Sequence, residues 1–159
     1  MAVINGLNTY PVVPSDVFGF EVNTDVGYGR ETFTITVGAG DVYPVGTVLQ
    51  VDYAAKTATA IAAPADALAV DALGDLAIFV GKDTSTNPST IDDFDRLTIS
   101  ATGKGVAITR GDGRGTLYKG YLNFDGTKFH ALPADVKAAL VAKLTTENRF
   151  KVLDQAVAV

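Results

Sequence analysis

Arg30-Glu31-Thr32-Phe33-Thr34-Ile35-Thr36-Val37, followed beyond Gly38-Ala39-Gly40-Asp41 by Val45-Gly46-Thr47-Val48-Leu49-Gln50-Val51, is the stretch that decides the fold. Phe33, Ile35 and Val37 fall on one side of an extended chain and Thr32, Thr34 and Thr36 on the other, the period of a strand with one buried face. Val45, Thr47, Leu49, Val51 and Tyr53 repeat that period among more polar or smaller neighbours. The two segments read as a hairpin closed through the Gly-Ala-Gly-Asp turn, with Phe33, Ile35, Val37, Leu49 and Val51 in the core.

Downstream, Tyr53-Ala54-Ala55-Lys56 is a turn into Thr57–Ile61, which extends the hairpin to a meander. The Ala-, Asp- and Pro-rich segment 62–74 fits either a loop or a short helix. Leu76-Ala77-Ile78-Phe79-Val80 is an apolar run of strand length, and residues 83–93, with Pro88 among Ser, Thr and Asn, read as a polar excursion. Leu97-Thr98-Ile99 and Val106-Ala107-Ile108 flank Gly103-Lys104-Gly105 as a second hairpin. Tyr118, Gly120, Leu122 and Phe124 alternate up to a tight Asp125-Gly126 turn. Val136, Ala139, Leu140 and Leu144 recur at helical spacing over 134–144, Pro133 suits a helix start, and Lys137 and Lys143 are expected on the solvated side. Phe150–Leu153 reads as a closing strand or strand-like tail. The fold class is mainly β with one C-terminal helix.

Upstream of Arg30, Pro11, Pro14, Gly19, Gly27 and Gly29 punctuate scattered apolar residues, so residues 1–29 read as an extended N-terminal arm and 30–159 as the β-rich body. The arm carries Tyr10, Val13, Phe18, Phe20 and Tyr28, which lie outside the periodic body and are candidate anchors to a partner, with Arg30 at the junction.

Composition narrows the function. Hydrophobic residues at 47% against 19% charged are enough to build a core, and 159 residues fit one domain. A net charge of -5 disfavours a grip on phosphate backbones, so nucleic acid is not an expected partner. Cysteine is absent, which removes disulfides and thiolate chemistry. Asp66, Asp71 and Asp75 interrupt the longest apolar stretches, so no membrane span is expected, and the N-terminus lacks the basic-then-apolar order of a secretion signal.

Catalytic parts are missing from the pattern. His130 has no second His or Cys to work with. Asp92, Asp93 and Asp95 lack the spacing of a calcium loop, and neither 103–105 nor 111–115 has the Gly-Lys-Ser/Thr ending of a phosphate loop. No serine sits in a Gly-x-Ser-x-Gly elbow. Arg110-Gly111-Asp112 spells an adhesion tripeptide inside a glycine-rich turn. Neither an enzyme nor a cofactor is expected.

Taken in order, the Arg30-Glu31-Thr32-Phe33-Thr34 opening, Gly46-Thr47-Val48-Leu49, Ala77–Val80, Gly120-Tyr121-Leu122, the 134–144 helix and Val152-Leu153 resemble the lambda-type head decoration proteins of tailed phages. The resemblance covers residues 30–157. It implies a small β-barrel or β-tulip-like domain, assembled as a homotrimer on the outer surface of the expanded phage head. There it would bind the major capsid protein and hold the shell against internal DNA pressure. On that reading the chain is made in the host cytoplasm and resides in the virion. Residues 1–29 are then the capsid-binding arm, and Tyr10, Val13, Phe18, Phe20, Tyr28 and Arg30 its expected contacts. The chain departs from the family's pattern in its longer N-terminal segment, in the 82–95 excursion, and in Leu76-Ala77 where a glycine is usual. The alternative is another noncatalytic virion module, such as a head fibre base or a host-adhesion domain using Arg110–Asp112.

Overall fold

The computed structural model describes residues 12–20, 29–83 and 97–154. Among the described residues twelve strands run in chain order: β1 (Phe18–Phe20), β2 (Arg30–Thr36), β3 (Tyr43–Pro44), β4 (Val48–Asp52), β5 (Thr57–Ala60), β6 (Leu76–Lys82), β7 (Thr98–Ile99), β8 (Gly103–Ile108), β9 (Thr116–Tyr118), β10 (Asn123–Phe124), β11 (Thr127–Lys128) and β12 (Lys151–Leu153). Helices α1 (Pro14–Val17), α2 (Ala67–Asp71) and α3 (Ala134–Thr146) are interspersed. The protein is mainly β with a C-terminal helix, as the periodicity predicts, and it is built on a closed five-stranded barrel.

The barrel runs β2-β5-β4-β6-β8 and closes where β8 returns antiparallel to β2, Arg30 opposite Ile108 and Ile35 opposite Gly103. The expected hairpin of β2 with β4 is not formed. β5 lies between them, parallel to β2 and antiparallel to β4. The reason is local: Asp52 Oδ1 accepts the amides of Ala54 and Ala55 at 2.9 Å each, and Lys56 turns with φ +57°, so β4 folds tightly onto β5. The Thr98-Ile99 and Val106–Ile108 segments likewise do not pair with each other. β7 joins β3, and β8 is shared by β2 and β6.

Two apolar clusters explain which strands alternate and which do not. Phe33, Ile35, Leu49, Val51, Ala58, Ala77, Phe79 and Ala107 fill the barrel, with Tyr43 and Ile99 added from β3 and β7. Small residues face large ones there. A Cβ on Gly105 would strike Ile35 and come within 2.9 Å of Phe79 Cε1, so the missing side chain is what lets both fit. Val48, Leu76, Ile78, Val80 and Ile108 point the other way and pack with Val136, Leu140 and Leu144 of α3, Val70 of α2, and Phe124, Phe129 and Phe150. β6 is therefore buried on both faces, which is why it reads as an unbroken apolar run. On β2 the threonines face solvent and the period stays clean.

The outer layer is held by a few polar groups. Asn148, just past α3, donates from Nδ2 to the carbonyls of Leu76 and Thr109, both at 2.7 Å, clipping the helix end to β6 and β8. Asp66 caps α2 by accepting the Ala69 amide at 2.8 Å. Lys143 is not solvated as the helical spacing suggests. Its ammonium donates to Leu73 O at 3.1 Å and pairs with Glu147 at 2.8 Å, because α2 and its exit loop pack over that side of α3.

The N-terminal boundary also differs from the sequence expectation. Pro14 opens α1, Asp16 Oδ2 accepts the Val13 amide at 3.0 Å, and Val17 and Phe18 are buried in the outer cluster, with the Phe18 ring centroid 6.0 Å from that of Phe150. Proline and glycine break long elements without preventing a single turn and a three-residue strand from packing. Residues 12–20 thus belong to the body.

Candidate functional site

A three-stranded sheet beside the barrel, ordered β1-β9-β12, brings the two ends of the described chain together. β1 is antiparallel to β9, with Phe18 opposite Leu117 and Phe20 opposite Thr116. β12 is parallel to β9, with Lys151 opposite Thr116 and Leu153 opposite Tyr118. Chain direction then fixes the layout. β1 starts, and β12 finishes, at the Tyr118 end of β9. Helix α1 and Asp154 therefore flank the same feature, the 3-10 turn Lys119–Tyr121 that follows Tyr118. Among the described residues β1 and β12 each pair on one side only, which leaves two strand edges on this sheet.

Close packing fixes the sheet. A Cβ on Gly19 would lie 2.5 Å from the Tyr118 hydroxyl oxygen and 2.8 Å from Cζ, so the Tyr118 ring rests directly on the glycine. The sheet's far end is tied to 111–115. Gly111 N donates to Asn148 O at 2.9 Å, Gly115 N to Gly111 O at 2.7 Å, and Lys151 N to Gly115 O at 2.7 Å. Gly111 is buried, and a Cβ there would lie 2.6 Å from Phe150 Cδ1. Within the Arg110-Gly111-Asp112 tripeptide, Arg110 is exposed, Asp112 is half-buried and the glycine between them is buried. Its glycine is a packing residue.

Next to the 3-10 turn lies a groove of about 650 Å³, lined by Lys119, Phe129, His130, the α3 side chains Lys137, Ala138, Val141, Ala142, Thr145 and Thr146, and Asp154. Lys119 is held in its wall. The ammonium sits 3.4 Å from Asp154 Oδ1 and 5.7 Å from the Phe129 ring centroid. His130 stands edge-on to Phe129 at 5.7 Å, with its Nε2 facing Gly120, where a Cβ would come to 3.3 Å. Ala138, Val141, Ala142 and Thr145 form a second stripe on α3, distinct from the buried Val136, Leu140 and Leu144. That i, i+3, i+4, i+7 spacing was available in the sequence. The barrel-facing stripe drew the reading because its side chains are larger.

The six expected contact residues are not gathered into one site. Val13 is half-buried beside α1, at the 3-10 end of the sheet. Phe18 is buried and cannot serve as an exposed anchor. Arg30 is exposed at the start of β2, opposite Ile108, from which the chain runs through 109–115 to the other end of β9. Tyr10 and Tyr28 lie outside the described residues, as does the side chain of Phe20, and so do Asp92, Asp93 and Asp95. Among the described residues no group of three or more His, Asp or Glu side chains is placed to hold a metal ion, and no helix is long and apolar enough to cross a membrane.

Compared with known proteins, the chain matches no family model, no curated protein and no solved structure.

Proposed function

We propose that this chain is a capsid decoration protein, a noncatalytic cement that binds the major capsid protein on the outside of an expanded phage head and stabilises the shell. The observation that carries the reading is the convergence of both ends of the described chain on one end of the β1-β9-β12 sheet, beside the α3 groove. That end of the sheet then bears both exits of the described chain, and the sheet offers an edge strand on each side, β1 and β12. A clamp needs that arrangement. It gains affinity when a neighbouring chain adds a strand to an edge through main-chain hydrogen bonds, and further when several such contacts act at once on a repeating lattice.

The order of motifs from Arg30 to Leu153 supports the same reading, as does the acidic charge of -5, which suits a protein that works on a protein surface instead of on DNA. In this account the segment before Val12 is the principal capsid hook. Val13 positions it, and Arg30 makes a separate contact from the barrel rim. Three copies assemble around a local three-fold axis of the head, so each clamp joins neighbouring capsomers.

The test is the composition of the particle. Purified virions of the phage or prophage that encodes the chain should contain it in a fixed ratio to the major capsid protein, and mild heat should release it before the shell breaks. Virions that lack it entirely, from cells that make it in quantity, would overturn the proposal.

A further inference from the structure

We propose that the loop cluster at the Thr116 end of the β1-β9-β12 sheet is a docking surface for a carboxylate-rich segment of a partner protein, gripped by Arg30, Arg110, Arg114, Arg149 and Lys151. The inference goes beyond the decoration reading and does not depend on it. Main-chain bonds gather these residues from three parts of the sequence. Arg30 lies opposite Ile108, and beside that pair Thr109 N donates to Gly29 O at 2.8 Å. Gly111 N donates to Asn148 O at 2.9 Å, Gly113 N to Arg149 O at 2.6 Å, and Lys151 N to Gly115 O at 2.7 Å. All five cationic residues are exposed, and the half-buried Asp112 is the one acid within 109–115.

Three features set the cluster apart. The chain carries a net charge of -5, yet every arginine among the described residues is here, while the lysines other than Lys151 are spread over the rest of the chain. A guanidinium is always charged and presents a planar fork that pairs with a carboxylate through two parallel hydrogen bonds, which an ammonium cannot do. The fold itself makes little use of these charges: among the described residues neither Arg114 nor Arg149 forms an ion pair. Arg149 also occupies a backbone position at φ +57°, which glycine adopts more easily, and its Nη2 lies 3.6 Å from where a Cβ on Gly113 would stand. Stability alone favours glycine at 149, so the long cation laid over the loop serves contacts outside the chain. A short acidic segment suits the surface better than nucleic acid. Five cations can hold a few carboxylates, whereas a phosphate backbone running past the loop meets an acidic remainder that begins within about a Debye length, ~8 Å at physiological salt.

The experiment measures the fluorescence anisotropy of a labelled, terminally blocked hexaglutamate titrated with the full chain at low salt, beside hexaglutamine and a thymidine oligonucleotide with six phosphates. Hexaglutamate should bind saturably and at least tenfold more tightly than either comparison probe, and the combined Arg114→Glu and Arg149→Glu variant should lose at least tenfold. Lys104→Glu with Lys128→Glu changes the net charge equally but away from the cluster, and should cost less than threefold. Arg149→Gly should weaken binding without lowering the melting temperature, a split that a merely structural arginine would not give, and it keeps the test open if the double charge reversal fails to fold. The proposal is overturned by no hexaglutamate binding, by equal losses in the two charge-matched variants, or by full binding in Arg149→Gly. An oligonucleotide that binds as tightly as hexaglutamate would also overturn it, as would self-association of the chain that the double reversal abolishes, since the occupant would then be nucleic acid or a second copy.

Discussion

Single residues carry much of this fold's specificity, and Asn148 is the plainest case. Its amide satisfies two buried carbonyls at 2.7 Å, one at the start of β6 and one just past β8. Asn148→Asp removes both donors and puts a carboxylate beside two carbonyl oxygens. A loss of roughly 3 kcal/mol or more is expected, read as a fall in the denaturant midpoint at neutral pH. An unchanged midpoint would show that the clip is not needed. Ile35 is fully buried in the barrel beside Phe79 and Gly105, and Ile35→Asp should leave no cooperative melt, because an unpaired buried charge costs several kcal/mol against a total of about 5–15 kcal/mol. A soluble variant that melts cooperatively would contradict the assignment of that face. Tyr43 sets a limit in alkali. Burial, helped by the charges of Asp125 and Asp41, raises its hydroxyl above the usual tyrosine range. Above about pH 10 the unfolded chain loses this proton and the folded chain keeps it, so stability should fall as pH rises from there. Tyr43→Phe should flatten that fall in thermal melts between pH 9 and 11, and an identical slope in the variant would rule the group out.

At the scale of elements, the strand period was legible and the strand partners were not. Thr32-Phe33-Thr34-Ile35 announces a strand with one solvated face because Thr32, Thr34 and Thr36 are exposed on β2 while Phe33 and Ile35 are buried. The same logic gave the wrong neighbour, since alternation specifies a face and carries no information on which edge is paired. The β4–β5 turn was readable in Asp52–Lys56. What it displaced was not, because the parallel contact of β2 with β5 depends on closing the barrel. β6 and the 134–146 helix were legible from length and spacing, as was the Asp125-Gly126 turn, where φ is +49° and +94°. The candidate site was legible least. Its groove depends on Phe129, α3 and Asp154 meeting across the chain, and its sheet on three short strands without a period of their own. Phe18 shows the consequence, looking like a stray anchor in sequence and lying in the core. Deleting residues 2–11 should therefore leave the melting temperature within a few degrees of the parent, whereas deleting residues 2–20 should lower it steeply by removing Val17 and Phe18 from the outer cluster. Equal melts for the two deletions would mean that α1 and β1 contribute nothing to the body.

The described residues form a filled barrel with one side insulated by a helix, and both of their outer ends meet at one end of the adjoining β1-β9-β12 sheet. The barrel interior is filled by its own side chains, and the sheet edges and the α3 groove lie outside it. Trimerisation would set three such faces on one axis and multiply weak contacts through effective concentration. The most direct measurement is cosedimentation of the purified full-length chain with unexpanded and expanded heads of the encoding phage, stripped of the native protein, followed by imaging of the decorated shells. The account predicts saturable binding to expanded heads alone, three-fold density at the capsomer junctions, and at least tenfold weaker binding after deletion of residues 2–11. Equal binding to both kinds of head, or binding to neither, would contradict it.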